Sequence, residues 1–122
     1  MREIEMIDKT ELKKQYKQTT VPMGIYKITN IANGKIFVGL GKNLAGRINR
    51  HKFALQFGSE EIKELQNDYN KYGKENFKFE EIDYLKPKDE PGYDYTEDLE
   101  CLLQLWLEKL QPYNDKGYNT LD

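Results

Sequence analysis

Two short runs rich in β-branched and aromatic residues, Gly24-Ile25-Tyr26-Lys27-Ile28-Thr29-Asn30-Ile31 and Lys35-Ile36-Phe37-Val38-Gly39-Leu40, are separated only by Ala32-Asn33-Gly34. No other feature of the chain constrains its fold as strongly. Residues of this kind suit a pleated, half-buried surface. Asn-Gly between two such runs predicts a β-hairpin, because both residues tolerate the positive φ of a type I′ turn. The spacing therefore predicts paired antiparallel strands with Tyr26 and Phe37 as near neighbours.

The remaining elements follow from caps and breakers. Asp8 and Glu11, ahead of residues 12–17, predict a short basic N-terminal helix that ends before Pro22. Asn43 is placed to cap a helix running to about residue 55, and Ser59 to cap another running to about residue 72, where Gly73 stops it. Residues 76–85 carry Phe77, Phe79, Ile82, Tyr84 and Leu85 with a slip of phase at Glu80-Glu81. That pattern predicts a third strand with a bulge. Residues 86–95 hold Pro87, Pro91 and Gly92 among acidic residues and read as an exposed loop, followed by a last helix over residues 96–110 that ends before Pro112. The expected fold is α+β: a small, mostly antiparallel three-stranded sheet flanked by helices. Residues 1–22 form a basic helical extension and residues 23–122 a single domain.

At 122 residues with 38% hydrophobic content, the chain suits one domain with one core. It contains no run of 18 apolar residues and no apolar-centred N-terminal leader, so it reads as a soluble cytoplasmic domain. Cys101 is the sole cysteine, which excludes an intrachain disulfide and a Cys-rich zinc site. Charge is uneven along the chain. Residues 1–52 hold eleven Lys and Arg against four acids, while residues 53–122 hold eight against seventeen. A basic first half suits contact with phosphates, and an acidic total weakens non-specific attraction to DNA.

Gly24-Ile25-Tyr26, then Phe37-Val38-Gly39, then Arg47 eight residues on and His51 one helical turn later together resemble the opening of a GIY-YIG endonuclease domain. The likeness extends through residues 99–119, where Trp106, Pro112 and Asn119 stand at the expected places, and so covers residues 23–119. It implies metal-dependent phosphodiester cleavage of DNA, with Mg²⁺ or Mn²⁺ as cofactor. Carried over, Tyr26 would help to activate water, Arg47 would contact the scissile phosphate, and His51 would stand beside them. Arg50, Lys52 and Asn119 would add phosphate or DNA contacts.

Two positions depart from the pattern. Phe37 replaces the second tyrosine, which keeps a ring and deletes one donor and acceptor. Leu103, three residues before Trp106, stands where the resemblance implies a metal-binding glutamate, and an isobutyl group cannot ligate a cation that requires oxygen. Glu100 is the substitute nearest in sequence, but it projects about 60° away from Leu103 around a helix. These departures point to an endonuclease-like scaffold with absent or reduced cleavage.

The alternative is a non-catalytic or engineered scaffold that binds DNA, a small ligand or a protein partner. Leu99, Leu102, Leu103, Trp106, Leu107 and Leu110 form a core arc on the last helix. Leu105 and Cys101 widen it to about 200°, against the roughly 100° that one core face needs. That excess suggests a partner or homodimer surface.

Overall fold

The computed structural model describes residues 21–121. The helix expected over residues 12–17, and most of the 1–22 extension with it, lie outside them. Strand β1 (Gly24–Asn30) pairs antiparallel with β2 (Ile36–Gly41) on one side and with β3 (Phe77–Tyr84) on the other, giving the sheet order β2-β1-β3. Helices α1 (Leu44–Phe57) and α2 (Lys63–Tyr72) lie between β2 and β3 in sequence, and α3 (Thr96–Leu110) follows β3. The α+β architecture is the expected one. No described helix is long and apolar enough to cross a membrane.

The hairpin turn differs from the two-residue turn that Asn33-Gly34 suggests. Asn30 and Lys35 close a four-residue loop: the Asn30 N–H donates to Lys35 O at 2.8 Å, and the Gly34 N–H donates to Asn30 O at 2.7 Å. Of the loop residues only Gly34 has positive φ, at 81°. The cause is Asn30, which is fully buried. Its Oδ1 accepts from the Ala32 N–H at 3.0 Å and its Nδ2 donates to the Tyr118 hydroxyl at 3.1 Å. This anchoring ends β1 early and sets Ile28 opposite Phe37 and Tyr26 opposite Gly39. The register moves by two residues, an even number, so every side chain keeps its predicted face.

Tyr26 and Ile28 face α1 and α2 and join Leu44, Ile48, Leu55, Leu65, Phe77 and Tyr118 in one core cluster. Alternation sends Ile25 and Val38 to the opposite face, the side on which Leu99 of α3 is fully buried. Full burial of Ile25 and Ile28 stabilises the sheet by about 1.5–3 kcal/mol for each side chain. Between Ile25 and Tyr26 the β1–β3 register slips from Asp83 to Glu81, leaving Ile82 as the extra residue of a bulge beside the predicted slip. Asp83 lands on the α3 face, where its Oδ2 accepts from Trp106 Nε1 at 2.8 Å and ties that helix to the sheet.

Helix α1 begins as expected, with Asn43 Oδ1 accepting from the Gly46 N–H at 3.0 Å. Its end alters the next element. Gly58 adopts φ 75° and Ser59 donates its N–H to Ala54 O at 2.8 Å. Ser59 is thus spent on closing α1 and does not cap α2, which starts at Lys63 without a side-chain cap. The chain between them folds inward.

The C-terminal segment seals the outer edge of β2. The Tyr118 N–H donates to Ile36 O at 2.8 Å. Asn119 Oδ1 accepts from the Val38 N–H while its Nδ2 donates to Val38 O, both at 2.9 Å. Edge backbone groups that would otherwise stay open are satisfied from within the chain.

Candidate active site

Tyr26 is buried on the α1 side of the sheet, with its phenol crossing over Gly39 of the neighbouring strand. A Cβ at Gly39 would come within 2.5 Å of the Tyr26 hydroxyl oxygen, so the absence of a side chain at Gly39 is what admits the first strand's tyrosine. Helix α1 then presents Arg47, Arg50, His51 and Ala54 along one side, at the three- and four-residue spacings that share a helix face. These residues, with Tyr26, Phe37, Phe53 and Glu60, line a pocket of about 750 Å³. Arg47 and Arg50 also line an adjoining groove with Lys42 at the start of α1.

The centre of the pocket is a hydrogen-bonded chain. The Tyr26 hydroxyl lies 2.8 Å from His51 Nε2, and His51 Nδ1 lies 2.8 Å from Glu60 Oε1. Phe37 packs against both rings, with centroids 6.1 Å from Tyr26 and 5.8 Å from His51. Burial pushes the Tyr26 phenol up to about 12, while the adjacent Arg47 guanidinium pulls it back down. An unaided phenol in this place holds its proton at neutral pH.

Tyr26, Arg47, Arg50 and His51, singled out from the sequence, therefore meet in one pocket. Lys52 does not join them. It lies one residue further round α1, above the Phe79 ring at 5.3 Å, in a different groove with Glu80 and Glu81. Asn119 is also elsewhere, because both polar atoms of its amide are engaged by the Val38 backbone. Leu103 is half-buried and Glu100 exposed on α3, and neither lines the pocket. Cys101 is exposed, as is Leu105 at 62% of its surface, in keeping with the wide apolar arc of that helix.

Glu60 is the site residue that sequence reasoning missed. In sequence it is one of two adjacent acids after a serine and resembles an ordinary helix-start residue. In the fold it is buried. Its N–H donates to Gln66 Oε1 at 3.0 Å, and its Oε2 accepts from the Ile62 N–H at 3.3 Å. The available signal was Gly58, whose left-handed turn sends the chain back toward α1.

The pocket offers a divalent cation few side-chain oxygens. Such a cation takes oxygen ligands; Leu103 has none to offer, Glu60 is already held by His51 and the Ile62 N–H, and Glu61 lines the pocket from an exposed position. Among the described residues no group of three or more His, Cys, Asp and Glu side chains is arranged to hold a metal ion.

Comparison with known proteins places this fold. The family model described as the GIY-YIG catalytic domain matches residues 22–114. Intron-associated endonuclease 1 of Enterobacteria phage T4 is 40% identical over 65 residues, which is 52% of this chain and 26% of the relative. The chain thus spans about a quarter of that relative's length. The solved catalytic domain of homing endonuclease I-TevI superposes with a TM-score of 0.66 at 27% identity, covering 82% of this chain and 99% of that one. A single-residue mutant of the catalytic domain of intron endonuclease I-TevI gives 0.67 at 28% identity, covering 84% and 96%.

Proposed function

This chain belongs to the GIY-YIG family, and from that premise we propose that it engages DNA phosphodiesters in the pocket between Tyr26 and Arg50, with strongly reduced cleavage. The observation that carries this reading is the convergence of Arg47, Arg50, His51 and Tyr26 on one cavity. Two arginines at its mouth offer forked donors for a phosphate, and guanidinium is the side chain best matched to that geometry. The adjoining groove with Lys42 extends the basic track along the start of α1. Tyr26 and His51 lie behind the arginines, on the side a bound phosphate would face.

Reduced cleavage is read from the lack of an α3 carboxylate at the pocket: Leu103 carries no oxygen and neither it nor Glu100 lines the cavity, and an electrostatic stabiliser of the transition state is worth on the order of 10²–10³ in rate even when it is a single hydrogen-bond donor. Phe37 removes a further hydroxyl beside Tyr26. The test is nicking of supercoiled plasmid in Mg²⁺ or Mn²⁺ by the parent, Leu103→Glu, Phe37→Tyr and the double variant. The parent is expected to leave plasmid intact and the double variant to nick it. Robust parent nicking that vanishes in Arg47→Ala would show that the chain is a competent nuclease. Silence in every variant would remove Leu103 from the cleavage site.

A further inference from the structure

Glu60, assigned no role by the motif, is one of three buried polar or charged side chains among the described residues, with Asn30 and Gln66. Asn30 and Gln66 are spent on the architecture around them, Asn30 on a loop and Tyr118, Gln66 on Glu60, Leu55 and Asn70. Of these three, only Glu60 brings a charged group to the pocket. An isolated buried carboxylate is costly, so its persistence requires a partner. That partner is His51, the one histidine of the chain.

The hydrogen-bond pattern fixes where the protons lie. A carboxylate only accepts, so Nδ1 of His51 carries the proton shared with Glu60. In the neutral ring Nε2 is then a bare acceptor, and the Tyr26 hydroxyl at 2.8 Å is the donor to it. Gln66 anchors the Glu60 backbone through its N–H and is itself held by Leu55 O at 3.1 Å and Asn70 Oδ1 at 3.0 Å, while the Ile62 N–H donates to the second carboxylate oxygen of Glu60.

We infer that Glu60 is a positioning residue for this pocket: it locks the His51 ring with Nε2 open toward Tyr26, so that His51 receives the Tyr26 proton when the phenol acts as a base. The step balances within the pair. The Tyr26 O–H bond breaks, an N–H bond forms at His51 Nε2, and the imidazolium that results faces the Glu60 carboxylate, which offsets its charge. The proton-transfer half of the site is therefore complete in a chain that has Leu103 where the family pattern implies a carboxylate. The inference rests on reading the pocket as a phosphodiester site, but its first test needs no DNA.

With a single histidine, ¹⁵N-histidine labelling and two-bond ¹H–¹⁵N correlation spectra at pH 8 report this ring alone. The parent is expected to show protonated Nδ1 and bare Nε2. Glu60→Ala should shift the ring toward protonated Nε2, and Glu60→Gln should restore the parent pattern, since its amide oxygen accepts the same bond. A parent ring protonated at Nε2 overturns the inference, as does an unchanged tautomer in folded Glu60→Ala. Should that variant fail to fold, the parent spectrum still decides. In the Leu103→Glu, Phe37→Tyr background, adding Glu60→Ala should lower kcat at least about 10²-fold with KM unchanged, the range of general acid–base contributions. Unchanged kcat there overturns the role of Glu60. A background that does not nick counts against the proposed function, and the spectra then judge Glu60 separately.

Discussion

The Tyr26 hydroxyl lies over Gly39 so closely that a methyl group at that position would sit 2.5 Å from its oxygen. The two ends of the hairpin motif thus meet as one packing unit. Gly39→Ala must displace a buried ring, and overpacking of this kind costs about 1–3 kcal/mol. Urea denaturation is expected to show that loss, and the single-histidine spectrum should lose the Tyr26 contact to Nε2.

Asn119 supports the same strand from outside. Asn119→Ala leaves the Val38 N–H and C=O without their partners, and an unsatisfied backbone group costs about 1–3 kcal/mol. Stability should fall by that order in urea titrations. The salt dependence of DNA binding should not change, because the amide faces the backbone and not the pocket.

Arg47, Arg50 and Lys52 separate into two classes. Each arginine that meets a phosphate should contribute about 0.9 to the slope of log K against log salt. Arg47→Ala and Arg50→Ala are expected to flatten that slope by about this amount each in fluorescence anisotropy with duplex DNA. Lys52→Ala, over Phe79 in another groove, should leave it unchanged.

Alkaline pH provides a separate measure of Tyr26. Its folded value near 12 exceeds the ordinary 10, so between these values the folded state keeps a proton that the unfolded state releases. The stability so contributed is full below pH 10 and is lost as pH rises toward 12, in all about 2–3 kcal/mol. Urea titrations from pH 8 to 11.5 should show the parent weakening more steeply than Tyr26→Phe. Tyr118, raised by burial and then by its bond to Asp68, is common to both proteins and cancels in the comparison.

The strands, the Asn43 cap and the last helix were legible in the sequence because each depends on local chemistry: β-branched alternation, a side chain reaching three residues on, apolar spacing interrupted by proline. Arg47, Arg50 and His51 were legible as a set because helical periodicity alone puts them on one side of α1. The turn and the start of α2 were not. Asn30 ended its strand for the sake of Tyr118, 88 residues away, and Ser59 was taken by the closure of α1.

What the sequence determined by itself is the scaffold and the basic helix face beside Tyr26. Only the tertiary structure decided which polar residues share the pocket. It set Lys52 and Asn119 aside and brought in Glu60. The physical reason is that a buried carboxylate requires a partner, and whether Glu60 is buried depends on how the chain returns after Gly58 and on where Gln66 waits to hold it. Neither can be read from the two adjacent acids as they stand in sequence.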